Sequence, residues 1–439
     1  MNAVEPRPIT PKGALNAVVT PPGSKSITNR ALLLAALAES ETDLIGVLQC
    51  EDTQVMFDAL RQTDRFRLKK ADIYVGNSGT TARFLTAVLA FSGGEYRIYG
   101  KPRMHERPVK DLVDALRILG GNVAYEDKEG FPPVRICPTE PEMLCRGTSG
   151  VKEVTISGSV SSQFLSALLM AAPLAAAKND ILIRVSGELV SKPYAEMTLR
   201  MMESFGVKPE TLEPEEPFRR APGFSSSFRI PRGAKYRSPG TYRIEPDASA
   251  ASYFFAAAAV CGGQVTVQGL SRRSLQGDVN FVNCLEQMGC NINWSADSIT
   301  VSRPPEKVLR GITVDMNAIS DTAQTLAVAA LFAEGSTEIR NIEHVRCKET
   351  DRIADLAREL RKFGAEVEEF RDGLRIIPGA GAAAWQQRIA SVTVETYDDH
   401  RMAMSFAVAG LRLPGVRIAD SDCCKKTFPD FFEVLENVT

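Results

Sequence analysis

The chain has 439 residues, 44% of them apolar, and carries 52 Lys and Arg against 54 Asp and Glu. This length exceeds the size at which one hydrophobic core stops growing, so we expect two domains. The balanced charge gives no overall basic field, which argues against generic binding to nucleic acid or membrane surfaces. Any recognition of anions must therefore be local.

Cysteine usage and the N-terminal segment indicate a compartment. Nine cysteines are scattered along the chain without a CxxC pair, so reduced thiols are expected. Residues 1–20 lack the apolar core of a signal peptide, and no apolar run reaches the length of about 18 residues needed for a membrane span. The sequence therefore predicts a cytoplasmic protein. Three histidines without an HExxH motif give no metal-ligand spacing, and no metal or cofactor is predicted.

One pattern recurs six times along the chain: a turn of small polar residues leads directly into an Ala- and Leu-rich helix. The turns begin at Ser24, Asn77, Ser159, Pro246, Ser320 and Asp398, and the helices are predicted at residues 31–38, 84–90, 164–175, 253–260, 326–332 and 402–411. A short strand and a second helix follow, and this second helix is apolar on one face only, as Ile353, Leu356 and Leu360 illustrate. The sequence thus predicts an α/β protein built from six repeats.

The repeats divide into two groups of three. Residues 23–246 are predicted to form one domain, and residues 1–22 with residues 247–439 the second. Residues 208–246 are rich in Pro, Glu, Ser and Gly and show no clear periodicity. They are predicted to form a surface excursion before the crossover between the domains.

The recurring helix starts suggest a site for anions, because free N–H groups and a partial positive charge favour an anion at a helix N-terminus. Lys25 and Arg30 flank the first turn, with Ser26 between them. Further cations stand in later loops: Arg103, Arg107, Lys348, Arg352, Lys425 and Lys426. Each turn alone is typical of helix capping, and each cation alone of a solvated surface. Their recurrence favours the shared site.

Two carboxylates are candidates for proton transfer. Glu349 lies three residues before Arg352 in a run where acids and bases alternate, which suits a general acid or base. Asp321 opens a helix, so capping and catalysis are both open for it. His400 could orient a neighbour or serve a structural role.

Eight segments resemble the 5-enolpyruvylshikimate-3-phosphate (EPSP) synthase family. They are Gly-Ser-Lys-Ser-Ile-Thr-Asn-Arg at residues 23–30, and residues 76–80, 102–108, 161–164, 189–194, 348–352, 399–403 and 426–430. These motifs are long and ordered, and the match runs from about residue 20 to the C-terminus. The resemblance implies six βαβαββ repeats, three in each of two domains, arranged as an inside-out α/β barrel that closes on its substrates.

The resemblance also implies a reaction: transfer of the enolpyruvyl group of phosphoenolpyruvate to the 5-hydroxyl of shikimate 3-phosphate, with release of phosphate. This step belongs to the shikimate pathway, which leads to chorismate and the aromatic amino acids. The implied partners are these two small molecules, without a cofactor, and a monomer is expected. Gly79 has no side chain to obstruct an inhibitor that mimics phosphoenolpyruvate, so sensitivity to glyphosate is expected.

Site residues follow from the same resemblance. Shikimate 3-phosphate is expected to contact Lys25, Ser26, Arg30, Ser161, Ser162, Gln163, Ser191, Tyr194, Asp321, His344 and Lys348. Phosphoenolpyruvate is expected to contact Lys25, Asn77, Gly79, Arg107, Gln163, Arg352, Arg401 and Lys426. Asp321 is the candidate base for the 5-hydroxyl, and Glu349 and Lys426 are candidates for proton transfer at the methylene carbon. Lys25, which is expected to contact both substrates, is also a candidate catalytic residue.

Two positions differ from the family pattern, and two alternative functions stay open. His344 stands where better-known members have Asn, and Phe84 where some have Pro. One alternative is the sister enzyme that acts on UDP-N-acetylglucosamine, although Pro102 occupies the position of its reactive Cys and Ser26 that of its Asn. The other alternative is a binder of sugar phosphates without turnover. The presence of Asp321, Glu349 and Lys426 together argues against it.

Overall fold

A computed structural model describes residues 5–138, 150–212, 224–379 and 391–439. Contacts divide the chain into two compact units. We call Met1–Ser24 with Glu245–Thr439 the terminal unit, and Lys25–Ile244 the central unit. The partition predicted from the sequence differs from these bounds by two residues at each junction.

The described residues form twelve α-helices and 23 strands. The helices are α1 (Lys25–Leu37), α2 (Glu51–Gln62), α3 (Gly79–Leu89), α4 (Lys110–Ile118), α5 (Ser162–Ala175), α6 (Lys192–Ser204), α7 (Ala248–Cys261), α8 (Phe281–Gln287), α9 (Ala323–Ala330), α10 (Arg352–Lys362), α11 (His400–Gly410) and α12 (Phe431–Glu436). Short 3₁₀ helices cover Pro102–Glu106, Gly277–Asn280, Asn317–Thr322, Glu343–Cys347 and Asp422–Lys426.

The strands are short, as expected where sheets and helices alternate. They are β1 (Arg7–Pro8), β2 (Leu15–Val19), β3 (Asp43–Ile45), β4 (Lys70–Tyr74), β5 (Glu95–Tyr99), β6 (Asn122–Tyr125), β7 (Val134–Cys137), β8 (Val151–Ser157), β9 (Asp180–Ser186), β10 (Glu210–Leu212), β11 (Phe224–Ile230), β12 (Thr241–Arg243), β13 (Gly263–Gln268), β14 (Asn291–Trp294), β15 (Ser298–Arg303), β16 (Leu309–Arg310), β17 (Thr313–Asp315), β18 (Ala333–Glu334), β19 (Thr337–Arg340), β20 (Glu366–Phe370), β21 (Gly373–Ile377), β22 (Val392–Val394) and β23 (Val416–Ile418).

Four sheets of the described chain share one design. Two parallel strands lie side by side, and an antiparallel hairpin continues the sheet from the second of them. The strand orders are β4-β5-β7-β6 and β8-β9-β11-β10 in the central unit, and β2-β13-β15-β14 and β17-β19-β21-β20 in the terminal unit. Each sheet is the strand layer of one βαβαββ repeat.

The first and last repeats depart from this design. In the last repeat, β22 and β23 are parallel and the N-terminal strand β1 pairs antiparallel with β23. In the first repeat, β3 pairs with β12 alone.

Five of the six first helices are almost wholly buried, as the sequence predicted, whereas the C-terminal part of α1 is only partly buried. All fourteen residues of α7 are buried, and its Ala-rich sequence allows close packing against α9 and α11. Ala adds little volume, so helix axes can approach closely while apolar surface is still removed from water. The second helices are amphipathic: in α10, Ile353, Leu356 and Leu360 face the core. The α/β fold class predicted from the sequence is confirmed.

The prediction for residues 208–246 is wrong in part. Glu210–Leu212 and Phe224–Ile230 are β10 and β11. They complete the sheet of the third repeat, because they pair with each other and β11 also pairs with β9. Residues 213–223 lie outside the described part. The sequence did not predict these strands because β10 has only three residues, all exposed, and β11 contains a run of three serines.

None of the helices in the described residues is long and apolar enough to span a membrane. The eight cysteines that the structure describes are free thiols.

Candidate functional site

The terminal unit holds a buried ion network centred on Arg352, the first residue of α10. Its Nε donates to Asp399 Oδ2 at 2.7 Å, its Nη1 to Asp321 Oδ1 at 3.1 Å, and its Nη2 to Glu349 Oε2 at 2.9 Å. The Arg352 side chain is only 2% exposed. A guanidinium can be buried in this way because carboxylates surround its fork. The network therefore fixes Asp321 and Glu349 relative to one another.

Three further cations complete the network. Arg401 Nη2 donates to the second oxygen of Asp321 at 2.8 Å, and Lys348 Nζ lies 3.7 Å from Asp321 Oδ1. Lys426 Nζ donates to Glu349 Oε1 at 3.0 Å. Both candidate proton-transfer carboxylates thus have more than one cationic neighbour. Six predicted site residues from two repeats meet here: Asp321, Lys348, Glu349, Arg352, Arg401 and Lys426.

His344 lies beside this network. Its Nε2 is 2.9 Å from Ser320 Oγ, next to Asp321 in sequence. Burial, and secondly the charge of Lys348, lower the pKa of His344 to about 4. His344 is therefore a neutral imidazole near pH 7, with one ring nitrogen as a donor and the other as an acceptor.

Asp399 was not among the site residues predicted from the sequence. Asp399 is fully buried, binds Arg352 through both oxygens, and accepts the Arg401 N–H at 2.9 Å as the N-cap of α11. The signal was an Asp immediately before a predicted helix. It identified the cap, but it could not reveal the partner across 47 residues.

Asp278 is a second carboxylate that the sequence did not single out. It lies in the 3₁₀ helix Gly277–Asn280, is 3% exposed, and accepts a hydrogen bond from Ser249 Oγ. Burial, and secondly the charge of Asp321, raise the pKa of Asp278 to about 7. The carboxyl group is therefore largely protonated below neutral pH, which reduces repulsion with Asp321.

The central unit holds a different arrangement, in which Arg107 is buried without an acidic partner. Arg107 is 4% exposed, and its Nη1 donates to the carbonyl oxygen of Asn77 at 2.9 Å. Among the described residues its Nε has no hydrogen-bond partner, and no Asp or Glu forms an ion pair with it. A buried cation that lacks a carboxylate in the protein is stabilised by an anionic ligand.

Gly79, the first residue of α3, permits the approach of two guanidinium groups. A Cβ atom at this position would lie 2.6 Å from Arg107 Nη2 and 2.5 Å from Arg83 Nη1. Arg83 was not predicted; its Nη1 donates to the Gly79 carbonyl at 3.1 Å and to Gln163 Oε1 at 3.2 Å. The missed signal was its position four residues after Gly79, on the same helix face.

Arg30 has internal partners in this structure. Its side chain donates to Thr198 Oγ1 at 2.8 Å and to the Ser26 carbonyl at 3.0 Å, and it also contacts Ser166. Burial lowers its pKa to about 10. Nearby, Lys25 Nζ lies 3.2 Å from Asp52 Oδ2. These contacts orient the start of α1.

The predicted phosphate-binding serines lie at two helix starts of the central unit. Ser161 Oγ accepts the Gln163 N–H at 3.2 Å, and Ser162 is buried at the first turn of α5. Ser191 precedes α6 with φ of 51°, in the left-handed region that non-glycine residues rarely adopt. Tyr194 N–H donates to the Ser191 carbonyl at 3.0 Å. A strained serine at a helix start is typical of a ligand site.

The sequence left open whether the small polar residues before the first helices cap these helices or bind anions. The structure shows capping at four of the six helix N-termini. Side chains cap α3, α5, α7 and α11: Ser78, Ser161, Asp247 and Asp399. Each accepts a backbone N–H of the first turn, so these N–H groups are less available to a ligand. The cationic side chains therefore add positive charge to what the remaining N–H groups of these starts offer.

Comparisons with known proteins show the family to which the chain belongs. The sequence model of the EPSP synthase (3-phosphoshikimate 1-carboxyvinyltransferase) family matches residues 9–65 and 62–435. A 3-phosphoshikimate 1-carboxyvinyltransferase of Burkholderia vietnamiensis is 47% identical over 443 residues, and the alignment covers 96% of each chain. That of Paraburkholderia phymatum is 46% identical with the same coverage.

A solved structure is similar as well. The EPSP synthase from Acinetobacter baumannii superposes with a TM-score of 0.74, covering 99% of this chain and 98% of that one. The two sequences are 23% identical, so this likeness concerns the fold.

Replacing Asp278 by Asn should make the terminal unit more stable in a pH-dependent way. The folded-state pKa of about 7 exceeds the ordinary value of 3.8, so the folded state binds the proton more tightly. Wild-type stability is therefore lost progressively as pH rises from about 4 to 7. Asp278→Asn cannot ionise and keeps an acceptor for Ser249, so its advantage should grow over that range, to roughly 4 kcal/mol at most.

Urea unfolding at a series of pH values measures this difference. Asp297→Asn, at an exposed position of the same unit, is the control and should show little change. A stability difference for Asp278→Asn that is constant between pH 4 and pH 8 would contradict the assignment.

Proposed function

Since the chain belongs to the EPSP synthase family, we propose that it transfers the enolpyruvyl group of phosphoenolpyruvate to the 5-hydroxyl of shikimate 3-phosphate. The products are 5-enolpyruvylshikimate 3-phosphate and phosphate, a step of the shikimate pathway. The observation that carries the proposal is Arg107, whose buried guanidinium lacks a carboxylate partner among the described residues. Phosphoenolpyruvate brings a phosphate and a carboxylate, the anions that such a group binds best.

Substrate binding divides between the two units in this proposal. In the central unit, Lys25, Ser26, Arg30, Ser161, Ser162, Gln163, Ser191 and Tyr194 bind shikimate 3-phosphate, and Lys25, Asn77, Gly79, Arg107 and Gln163 bind phosphoenolpyruvate. In the terminal unit, Asp321, His344 and Lys348 bind the shikimate hydroxyls, and Arg352, Arg401 and Lys426 bind phosphoenolpyruvate.

Asp321 acts as the base for the 5-hydroxyl. Removal of this proton allows the oxygen to attack C2 of phosphoenolpyruvate while the methylene carbon gains a proton. Both Asp321 oxygens accept from guanidinium groups, at 3.1 Å from Arg352 and 2.8 Å from Arg401. These contacts hold the carboxylate in one orientation, which is what a general base requires.

Glu349 and Lys426 serve the methylene carbon. Their 3.0 Å contact lets a proton pass between them as the tetrahedral adduct forms and then loses phosphate. The proton added to the methylene group leaves it again with that elimination, which restores the carbon–carbon double bond and gives the enol ether product. Negative charge accumulates on substrate oxygens, where preorganised cations stabilise it better than reorienting water does.

Other properties accompany the proposal. We place the protein in the cytoplasm, in keeping with its free thiols, and propose that no cofactor takes part. We propose that glyphosate inhibits the enzyme. Two guanidinium groups lie close to Gly79, and they suit an anionic mimic of phosphoenolpyruvate.

Phosphate release from phosphoenolpyruvate tests the function directly. The assay is run with shikimate 3-phosphate, with UDP-N-acetylglucosamine, and with neither. We expect release only with the first. Release only with the second would assign the sister activity, and binding of shikimate 3-phosphate without any release would leave a sugar-phosphate binder.

Replacing Asp321 by Asn should reduce kcat by about 10²–10⁴-fold, the usual contribution of a positioned base. The amide keeps the shape of the side chain, so the dissociation constants of both substrates should change little. Steady-state kinetics and titration calorimetry measure the two quantities. Asp297→Asn is the matched control and should keep wild-type turnover. An Asp321→Asn enzyme with normal kcat would defeat the assignment of the base.

Replacing Lys25 by Ala should weaken both substrates by about tenfold or more, because one ammonium group is proposed to contact both anions. Titration of each substrate separately measures the two dissociation constants. Lys110→Ala, which removes an exposed lysine of the same unit, is the control. Circular dichroism checks the fold, since Asp52 loses its partner. Weakening of only one substrate would show that Lys25 contacts that ligand alone.

A further inference from the structure

The sheet of the first repeat stops after two strands. β3 pairs in parallel with β12, with Asp43 opposite Thr241 and Ile45 opposite Arg243. In the four complete sheets, the strand in the position of β3 has an antiparallel neighbour on its other side. Within the described residues, no strand pairs with that side of β3. One edge of a short sheet is therefore open.

The missing neighbour corresponds to a missing hairpin. Helix α2 ends at Gln62, and the chain reaches β4 at Lys70 through a tight turn instead of two strands. Asp64, Arg65 and Phe66 all adopt positive φ in this turn, at 44°, 51° and 69°. The two stretches matched by the family model also meet here, at residues 62–65. The first repeat thus lacks the hairpin that continues the complete sheets.

An open groove of about 780 Å³ lies where the hairpin would pack. It is bordered by α1, β3 and α2, and Phe57 beside it is 52% exposed. In the second repeat, the hairpin strand β7 supplies the cover, with Val134 and Ile136 at most 1% exposed. An open strand edge next to uncovered apolar side chains is a surface onto which another strand adds.

The backbone of β3 is oriented for such pairing. Asp43 N–H donates to the Gly240 carbonyl and the Ile45 carbonyl accepts from Ile244 N–H, both at 2.8 Å. Successive residues of a strand turn their N–H and C=O groups to opposite sides, so those of Leu44 face the open edge. One donor and one acceptor on the same residue can pair with an identical residue.

We propose that β3 pairs with β3 of a second copy of this chain, antiparallel, about a two-fold axis at Leu44. A two-fold dimer forces the two identical strands to be antiparallel. That is also the direction of the neighbour at this edge in every complete sheet of the described chain. The result is a sheet of four strands, the number that the complete repeats have.

The charges around the groove permit the contact. Its lining contains three acids, Glu41, Asp43 and Asp64, and two bases, Arg61 and Arg65. Arg65 Nη2 lies 4.0 Å from Glu41 Oε1. Because both signs are present, two copies of this surface do not repel each other as a groove of one sign would. The strands are short, so the dimer depends on protein concentration.

This assembly is independent of the proposed chemistry. None of the residues proposed to bind substrate lines the groove. The sequence predicted a monomer from the family resemblance and not from any feature of α2 or β3. The spacing of apolar residues in these elements does not show that the hairpin is missing.

Sedimentation velocity over a concentration series tests the proposal. The wild-type protein should shift from 47.8 kDa toward about twice that mass as concentration rises. Phe57→Lys places a charge in the contact and should weaken association at least tenfold, by roughly the effect of a central interface residue. It should keep wild-type turnover because Phe57 is half exposed. Ile118→Lys, at a position 62% exposed on α4, is the control and should still dimerise.

Amide hydrogen exchange gives a second measurement. Exchange at Leu44 should slow with rising wild-type concentration, and it should stay fast in Phe57→Lys. A wild-type protein that remains at 47.8 kDa throughout overturns the proposal, including the case in which a strand of another protein fills the groove. The proposal is also overturned if Phe57→Lys dimerises as strongly as the wild type. The same holds if the wild type dimerises while amide exchange at Leu44 stays fast.

Discussion

The buried guanidinium of Arg352 is the constraint on which the terminal unit's site depends. Removing a charge from water costs several kcal/mol, and the cost is met only if the surrounding carboxylates are held in good geometry. Asp321, Glu349 and Asp399 come from three different segments of the chain. Each of their carboxylates is held in place by an ion pair with the Arg352 guanidinium. The candidate base and the candidate proton carrier therefore keep a fixed separation. Residues from two repeats of the fold thus form one chemical arrangement.

The central unit handles charge in the opposite way. In the terminal unit, the three carboxylates around Arg352 are balanced by four cations, Arg352, Arg401, Lys348 and Lys426. In the central unit, Arg107 is buried without such a balance among the described residues. A ligand that supplies negative charge is therefore stabilised most where the protein supplies none. The proposed reaction uses both arrangements: balanced charges for proton transfer, and unbalanced cations for holding phosphoenolpyruvate.

Sequence patterns predicted the repeated architecture because they report local burial. The Ala-rich run of α7 and the amphipathic spacing of α10 each reflect how much of a helix is covered, and the structure confirms both. Pairing across repeats is different. Nothing in the neighbourhood of Asp399 indicates that it binds Arg352, and nothing near Asp278 indicates its proximity to Asp321. Long-range partners of this kind are set by packing, which the periodicity of a sequence does not encode.

The missing hairpin of the first repeat illustrates the same limit, and the turn at residues 63–68 explains how the fold tolerates it. Three left-handed residues, Asp64, Arg65 and Phe66, cost about 1–2 kcal/mol each. Burial of the Phe66 ring returns about 1.5–3 kcal/mol, and Thr63 contributes hydrogen bonds to the turn.

The core is not opened by this shortening, because Met56, Ala59 and Leu60 of α2 face inward and stay buried. Only the outer side of α2, at Phe57, and the edge of β3 lose their cover. A hairpin lies at the periphery of its repeat, so its loss changes the surface and leaves the helix starts in place. The repeats can therefore vary at their outer edges while the residues that bear the chemistry remain fixed.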